Sequence, residues 1–322
     1  MIDKQILAGL RQKAKTLLIE NKVDWVAGFQ EGSLKHTVSP LITNNADDTD
    51  KLVFSPLLMT NNLATFLTEL KGRVAIMAKG CDSRSIVSLI QDNKVKREDL
   101  HIFGIPCQGL IDFNKLKSLS GLGKADTSAI ELSKGKVIVT SGDNSTNYPV
   151  DKLLYDHCLG CELATPKEHD TLLGKAVTPP GFIKESRRQS EDLAALPTDQ
   201  RWQYWQKEFD KCIRCYACRS VCPACYCHRC FANENRPQWV TPAPIWQDNL
   251  FFQVIRNLHV AGRCTDCGEC ERACPVGIPL RSMARDTYDN VKETFDFNPG
   301  MDKDQDPLLT AYETEEAEDI ML

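Results

Sequence analysis

The chain has 322 residues, 42% of them hydrophobic, 39 basic against 44 acidic side chains, a formal charge of -5 and 15 cysteines. That length exceeds one typical domain, and the apolar fraction is enough for a real core. The slightly acidic balance argues against nucleic acid as main partner, and the longest apolar stretches, such as 249–255 (NLFFQVI), fall far short of the roughly 20 residues of a membrane span.

Residues 1–22 (MIDKQILAGLRQKAKTLLIENK) lack the apolar core of about 7–15 residues that an export signal needs. Ile6, Leu7, Leu10, Leu17 and Leu18 recur near helical spacing, which predicts a surface helix docked on a core. With no export signal a cytoplasmic location is expected. In a reducing compartment 15 cysteines point to metal rather than disulfides.

The first half reads as alternating strands and helices. Arg73–Lys79 (RVAIMAK), Leu100–Ile105 (LHIFGI) and Lys136–Thr140 (KVIVT) are strand-like runs. A helix with Asp82 or Ser83 as N-cap follows the first run, carrying Ile86, Leu89 and Ile90. This order predicts an α/β core with a small parallel sheet over residues 1–175. Residues 176–200, with Pro179, Pro180, Gly181, Ser186, Ser190 and Pro197, read as an irregular connector. Over 201–290 a helix from Thr198 through Trp202, Tyr204, Trp205 and Phe209 leads into the first of two cysteine clusters. A second helix, over 244–260, leads into the other. Residues 291–322 carry Asp302, Asp304, Asp306, Glu313, Glu315, Glu316, Glu318 and Asp319 against Lys303 beyond Asn298, and are expected to be a solvated or partner-docking arm.

One internal repeat dominates the second half. Cys212, Cys215, Cys218 and Cys222-Pro223 form a C-x2-C-x2-C-x3-C-P run, and Cys264, Cys267, Cys270 and Cys274-Pro275 form another. This is the ligand spacing of two-cluster bacterial ferredoxins, in which the fourth cysteine of each run serves the other cluster. Cys212, Cys215, Cys218 and Cys274 are thus expected on one [4Fe-4S] cluster, and Cys264, Cys267, Cys270 and Cys222 on the other. Zinc ribbons use paired two-cysteine hooks and have no need of the third cysteine or the terminal C-P. Cys225, Cys227, Cys230 and His228 are left over. They are open to three readings: zinc ligands, a replacement ligand for the neighbouring cluster, or reduced thiols packed under it.

In the first half Cys81 follows the first strand, Cys107 the second, and Cys158-x2-Cys161 the third. Parallel neighbouring strands would bring Cys81 and Cys107 to the carboxyl edge of the sheet, where open α/β folds place their sites. Four thiolates meeting there would hold a third [4Fe-4S] cluster; scattered structural thiols and a redox pair are the alternatives. The turn carrying Lys79, Gly80, Asp82, Ser83 and Arg84 is a candidate anion site.

The stretches KGCDSRSIVSLI, IFGIPCQG and the later CLGC resemble the core of the beta subunits of deazaflavin-reducing hydrogenases and formate dehydrogenases. The ferredoxin double motif is similar to the one fused to that core in formate dehydrogenase beta subunits. The resemblance implies an iron–sulfur subunit relaying single electrons through two or three clusters within a larger anaerobic complex of hydrogenase, formate dehydrogenase or heterodisulfide-reductase-like type. It implies Cys81, Cys107, Cys158 and Cys161 as the proximal cluster. It also implies FAD, which would exchange hydride with a deazaflavin, with the 79–85 turn as a candidate edge for its phosphate.

Overall fold

The computed structural model describes residues 4–133, 135–308 and 310. Helix α1 (Lys4–Ile19) lies on the core through Leu10, Ala14, Leu17 and Leu18, as the helical spacing predicts. Strands β1 (Trp25–Glu31) and β2 (Val38–Thr43) follow, then β3 (Val74–Ala78), α2 (Gly80–Gln91) and β4 (Leu100–Gly104). Next come α3 (Phe113–Ser120), strands β5 (Ala129–Ser133), β6 (Lys136–Ser141) and β7 (Asn144–Pro149), short helices α4 (Val150–Leu153) and α5 (Asp156–Leu159), and β8 (Thr171–Leu172). The second half contains α6 (Ile183–Ala194), α7 (Thr198–Asp210), α8 (Ala217–Ser220), α9 (Trp246–His259), α10 (Glu269–Arg272) and α11 (Leu280–Phe295).

The main sheet has the order β2-β1-β3-β4-β8, with β1, β3, β4 and β8 parallel and β2 antiparallel at the edge. Every residue of β3 is buried, as befits a central strand covered on both faces. The β3–β4 register runs from Val74 opposite Leu100 to Ala78 opposite Gly104, so the strands end level. Cys81 and Cys107 therefore leave the sheet at one carboxyl edge. The α/β core with a parallel-containing sheet, followed by a cysteine-rich helical part, is the fold class expected.

Several local expectations are corrected. The run at Lys136–Thr140 is the middle strand of a separate antiparallel sheet, β5-β6-β7. Its Val137 and Val139 are buried while Ile138 and Thr140 are less so, the alternation of a sheet covered on one face. Helix α2 starts two residues before Asp82. Lys79 is its N-cap, and Asp82 sits at the third helical position, accepting from the Lys79 backbone N–H at 2.9 Å. The 176–200 connector contains α6, because its prolines and Gly181 stand before Ile183 and after Ala194. Ser186, which reads as a loop residue in isolation, is buried where α6 meets α5 and α11.

The segment after α11 does not leave as a solvated arm. Asp296 takes a left-handed turn (φ 47°), Phe297 is buried, and the chain returns to α2. There Arg84 Nη2 donates to Asn298 Oδ1 and the Pro299 carbonyl (both 2.8 Å), and Gln91 Nε2 to the Asp302 and Gln305 carbonyls at 2.9 and 2.7 Å. Gly300 passes so close that a Cβ there would lie 2.1 Å from the Arg84 carbonyl oxygen. Glu313, Glu315, Glu316, Glu318 and Asp319 lie outside the described residues.

Candidate metal centres

The two cysteine runs share one backbone path. Arg214 and Tyr216 in the first, and Asp266 and Gly268 at the matching positions of the second, are all left-handed (φ 51°, 58°, 54° and 72°). Such residues bend the chain sharply, so cysteines three apart converge instead of lining an extended strand. Each run then enters a single helical turn, α8 or α10, and these two turns pack together.

The neighbours of each thiol cross between the runs. Burial raises the Cys212 thiol first, and Cys218, Cys274 and Cys215 then raise it further. Burial raises Cys264 to about 11, and Cys222 adds to the rise. Cys267 and Cys270 are lifted by burial too, and Cys222 adds to each. Cys222 thus sits with the thiols of the second run and Cys274 with those of the first. Cys212, Cys222, Cys264 and Cys267 accept backbone N–H groups. Ile278 N–H reaches Cys274 Sγ at 3.3 Å, and Gln253 Nε2 reaches Cys218 Sγ at 3.4 Å. Donors of this kind favour electron-rich sulfur and tune cluster potential.

Between the two sets lies Arg256, missed in the sequence because a helical arginine looks like a solvated one. It is 6% exposed, and one Nη donates to the Cys218 carbonyl at 3.0 Å. Its Nε has no hydrogen-bond partner, and no carboxylate pairs with it among the described residues. Burial opposes its charge, and Cys222, Cys270, Cys225 and Cys218 outweigh that opposition. A buried guanidinium with no carboxylate paired to it needs a negative counter-charge. Thiolate-ligated iron–sulfur clusters are anionic, so this donor set fits them.

The third set also converges. Cys81, Cys107, Cys158 and Cys161 line one small hollow at the carboxyl edge of β3 and β4. Burial raises all four thiols, Cys107 to about 11, and Cys107 and Cys161 act on both Cys81 and Cys158. Leu110 N–H donates to Cys158 Sγ at 3.4 Å. All 15 cysteines are free, so no disulfide competes for them.

The 79–84 turn is not open to a phosphate. Lys79 is 1% exposed, and its Nζ donates to Asp82 Oδ2 and the Asn61 carbonyl, both at 2.8 Å. Arg84 is spent on Tyr288, Asn298 and Pro299, and Gly80 lies under the Leu163 carbonyl. Asp82 and Ser83 are buried as well. Of the two cations that suggested an anion site, Lys79 is held inside the core by Asp82 and Asn61, and Arg84 ties the two halves together.

Of the leftover cysteines, Cys225 lies against Cys222. Its backbone N–H donates to the Cys222 carbonyl at 3.0 Å. Cys227 and His228 are exposed and Cys230 is half-buried. Between them Tyr226 Oη donates to Asp92 Oδ2 at 2.7 Å, fastening this loop to the end of α2. Among the described residues, no three histidine, cysteine, aspartate or glutamate side chains gather as they would round a single metal ion. Nor, among them, is any helix long and apolar enough to cross a membrane.

Residues 208–278 match the family model of the 4Fe-4S dicluster domain. The chain is therefore an iron–sulfur electron-transfer protein of the oxidoreductase class. It is similar to the F420-dependent formate dehydrogenase subunit beta of Methanocaldococcus jannaschii, at 23% identity over 92% of each chain. The F420-dependent formate dehydrogenase 1 subunit beta of Methanococcus maripaludis is also 23% identical, over 92% of this chain and 91% of that one. The resemblance to formate dehydrogenase beta subunits thus extends along nearly the whole chain. Among solved structures, a chain of the F420-reducing [NiFe] hydrogenase complex from Methanosarcina barkeri aligns with a TM-score of 0.43 and 14% identity, covering 66% of this chain and 90% of that one.

Proposed function

We propose that this chain is the electron-relay subunit of a multi-subunit oxidoreductase of the deazaflavin-linked formate dehydrogenase or hydrogenase type, working in an anaerobic cytoplasm. Cys212, Cys215, Cys218 and Cys274 hold one [4Fe-4S] cluster, and Cys264, Cys267, Cys270 and Cys222 a second. Cys81, Cys107, Cys158 and Cys161 hold a third. Such clusters supply single-electron transfer when bound. The chain's own groups direct N–H donors at the sulfurs and balance their charge with Arg256.

The observation that carries this reading is that Cys274 of the second run packs with Cys212 and Cys218 of the first about Phe209, Phe252 and Ile278. A pair of zinc hooks has no use for such a crossing, while a ferredoxin-type pair requires it. Cys225, Cys227 and Cys230 are read as non-ligands, Cys225 packing beside Cys222 through its backbone N–H bond to the Cys222 carbonyl.

The crossing is tested with Cys222→Ser in the anaerobically purified chain. The expected result is an altered electron paramagnetic resonance signal and potential for the cluster of the second run, with the first-run signal unchanged. A change confined to the first-run signal would overturn the ligand assignment.

A further inference from the structure

The three thiol sets are not equally placed. The hollow of the core set is walled on one side by the second run itself, through Thr265 and Asp266. Two contacts close that wall. Ser85 Oγ donates to the Cys81 carbonyl at 3.1 Å, so its single proton is committed, and Thr265 Oγ1 is the donor across the 3.1 Å contact to Ser85. Both side chains are buried, and Asn62 Nδ2 completes the group at 2.9 Å from Ser85 Oγ. Cys81 is thereby tied, through one serine and one threonine, to the residue beside Cys264.

The second contact is steric. Gly268 follows Cys267 and His157 precedes Cys158, and a Cβ on Gly268 would lie 2.2 Å from His157 Nδ1. The missing side chain lets the imidazole lie directly against the second-run loop. At the matching position of the first run stands Tyr216, which packs edge-on against Phe252 inside its own half. That run turns outward, with Cys215 exposed and Ile213 59% exposed.

Resting on the three-cluster reading above, we propose that the thiol sets form a line: core set, then the Cys264 set in the middle, then the Cys212 set at the outer end. Thr265 and His157 are the positioning residues that hold the middle site against the core site. Each transfer along the line oxidises one site by one electron and reduces the next by one, with no bond made or broken and no proton moved. A redox protein docked at the Cys215 loop is the one-electron partner at the outer end.

The test uses the full chain, purified anaerobically and reduced with dithionite. Iron is counted first: about 12 per chain, three four-iron clusters, is expected, and about 8 would show that the core set holds none, removing the basis of the line. With Cys267→Ala/Cys270→Ala the middle site is lost, iron falls to about 8, and the two remaining paramagnetic signals should show no mutual splitting. With Cys212→Ala/Cys215→Ala the outer site is lost, and the remaining pair should still be split. Splitting that persists without the middle site, or disappears without the outer one, would overturn the order. Thr265→Val provides a milder variant, with full iron and weakened splitting expected; unchanged splitting would show that Thr265 does not position the pair.

Discussion

Gly80 is the most exacting position in the core site. It opens α2 immediately before Cys81, and a Cβ built on it would lie 1.5 Å from the Leu163 carbonyl oxygen and 2.6 Å from its carbon. Leu163 is two residues beyond Cys161, so the clash falls between two segments that each present a thiol to the same hollow. The obstacle is backbone and cannot swing aside, so one of the segments must move by about 1.5 Å or more, well beyond the roughly 0.5 Å within which a site must be held. Overpacking typically costs 1–3 kcal/mol, and with backbone displaced Gly80→Ala is expected at about 3 kcal/mol. It should lose about four iron per chain, one cluster, while the dicluster signals remain. Gly9→Ala is the control. It has nothing within 4 Å of its Cβ in the middle of α1, and should gain about 0.5–1 kcal/mol. Anaerobic iron and sulfide analysis with urea unfolding measures both. Full iron in Gly80→Ala, with stability within about 0.5 kcal/mol of the parent, would refute the close approach of the two segments.

Arg256→Gln should keep its iron and lower the potentials of the dicluster pair, because a buried positive charge beside both sets is lost. Each 1.4 kcal/mol corresponds to about 59 mV for a one-electron couple, and a fall of about that size is expected in a redox titration. Asp266→Asn leaves Arg281, paired to it at 2.7 Å, buried without its counter-charge, while Arg285 keeps Asp289 at 3.0 Å. A loss of about 3–5 kcal/mol is expected, read by urea unfolding. Burial opposes ionisation of Glu162, yet hydrogen bonds from Lys292 and Asn298, with Arg84 alongside, hold its pKa at about 2 against an ordinary 4.5. A depressed carboxylate stabilises the fold above its unfolded pKa. Glu162→Gln should therefore be less stable at pH 7, by at most about 3 kcal/mol. The deficit should shrink as pH falls from 4.5 towards 2, as unfolding of parent and variant compared across that range will show.

The clearest features in the sequence were those with rigid spacing. The two cysteine runs are legible because a cubane fixes ligand number and separation. Cys81 and Cys107 are legible because each directly follows an apolar run that became a strand, β3 or β4. Lys136–Thr140 shows why such runs do not reveal which sheet they join: apolar alternation reports one covered face, and pairing is decided by contacts far along the chain. The 79–84 turn misled for a related reason. Lys79 and Arg84 look like free cations in a linear string, whereas Asp82 and Asn61 engage the first within the core, and Tyr288 and the returning 298–300 segment engage the second once the halves have docked. Arg256, His157 and the Ser85–Thr265 pair carried no local signal at all, since their roles depend on what the other half places beside them.

The central claim is that twelve of the fifteen cysteines serve three four-iron clusters. The most direct measurement is metal and acid-labile sulfide content of the anaerobically purified full chain, with Mössbauer spectra to count cluster types. The account predicts about 12 iron and 12 sulfide per chain in cubane form, with no stoichiometric zinc. About 8 iron would reduce Cys81, Cys107, Cys158 and Cys161 to structural thiols, and zinc in place of iron would contradict the account altogether.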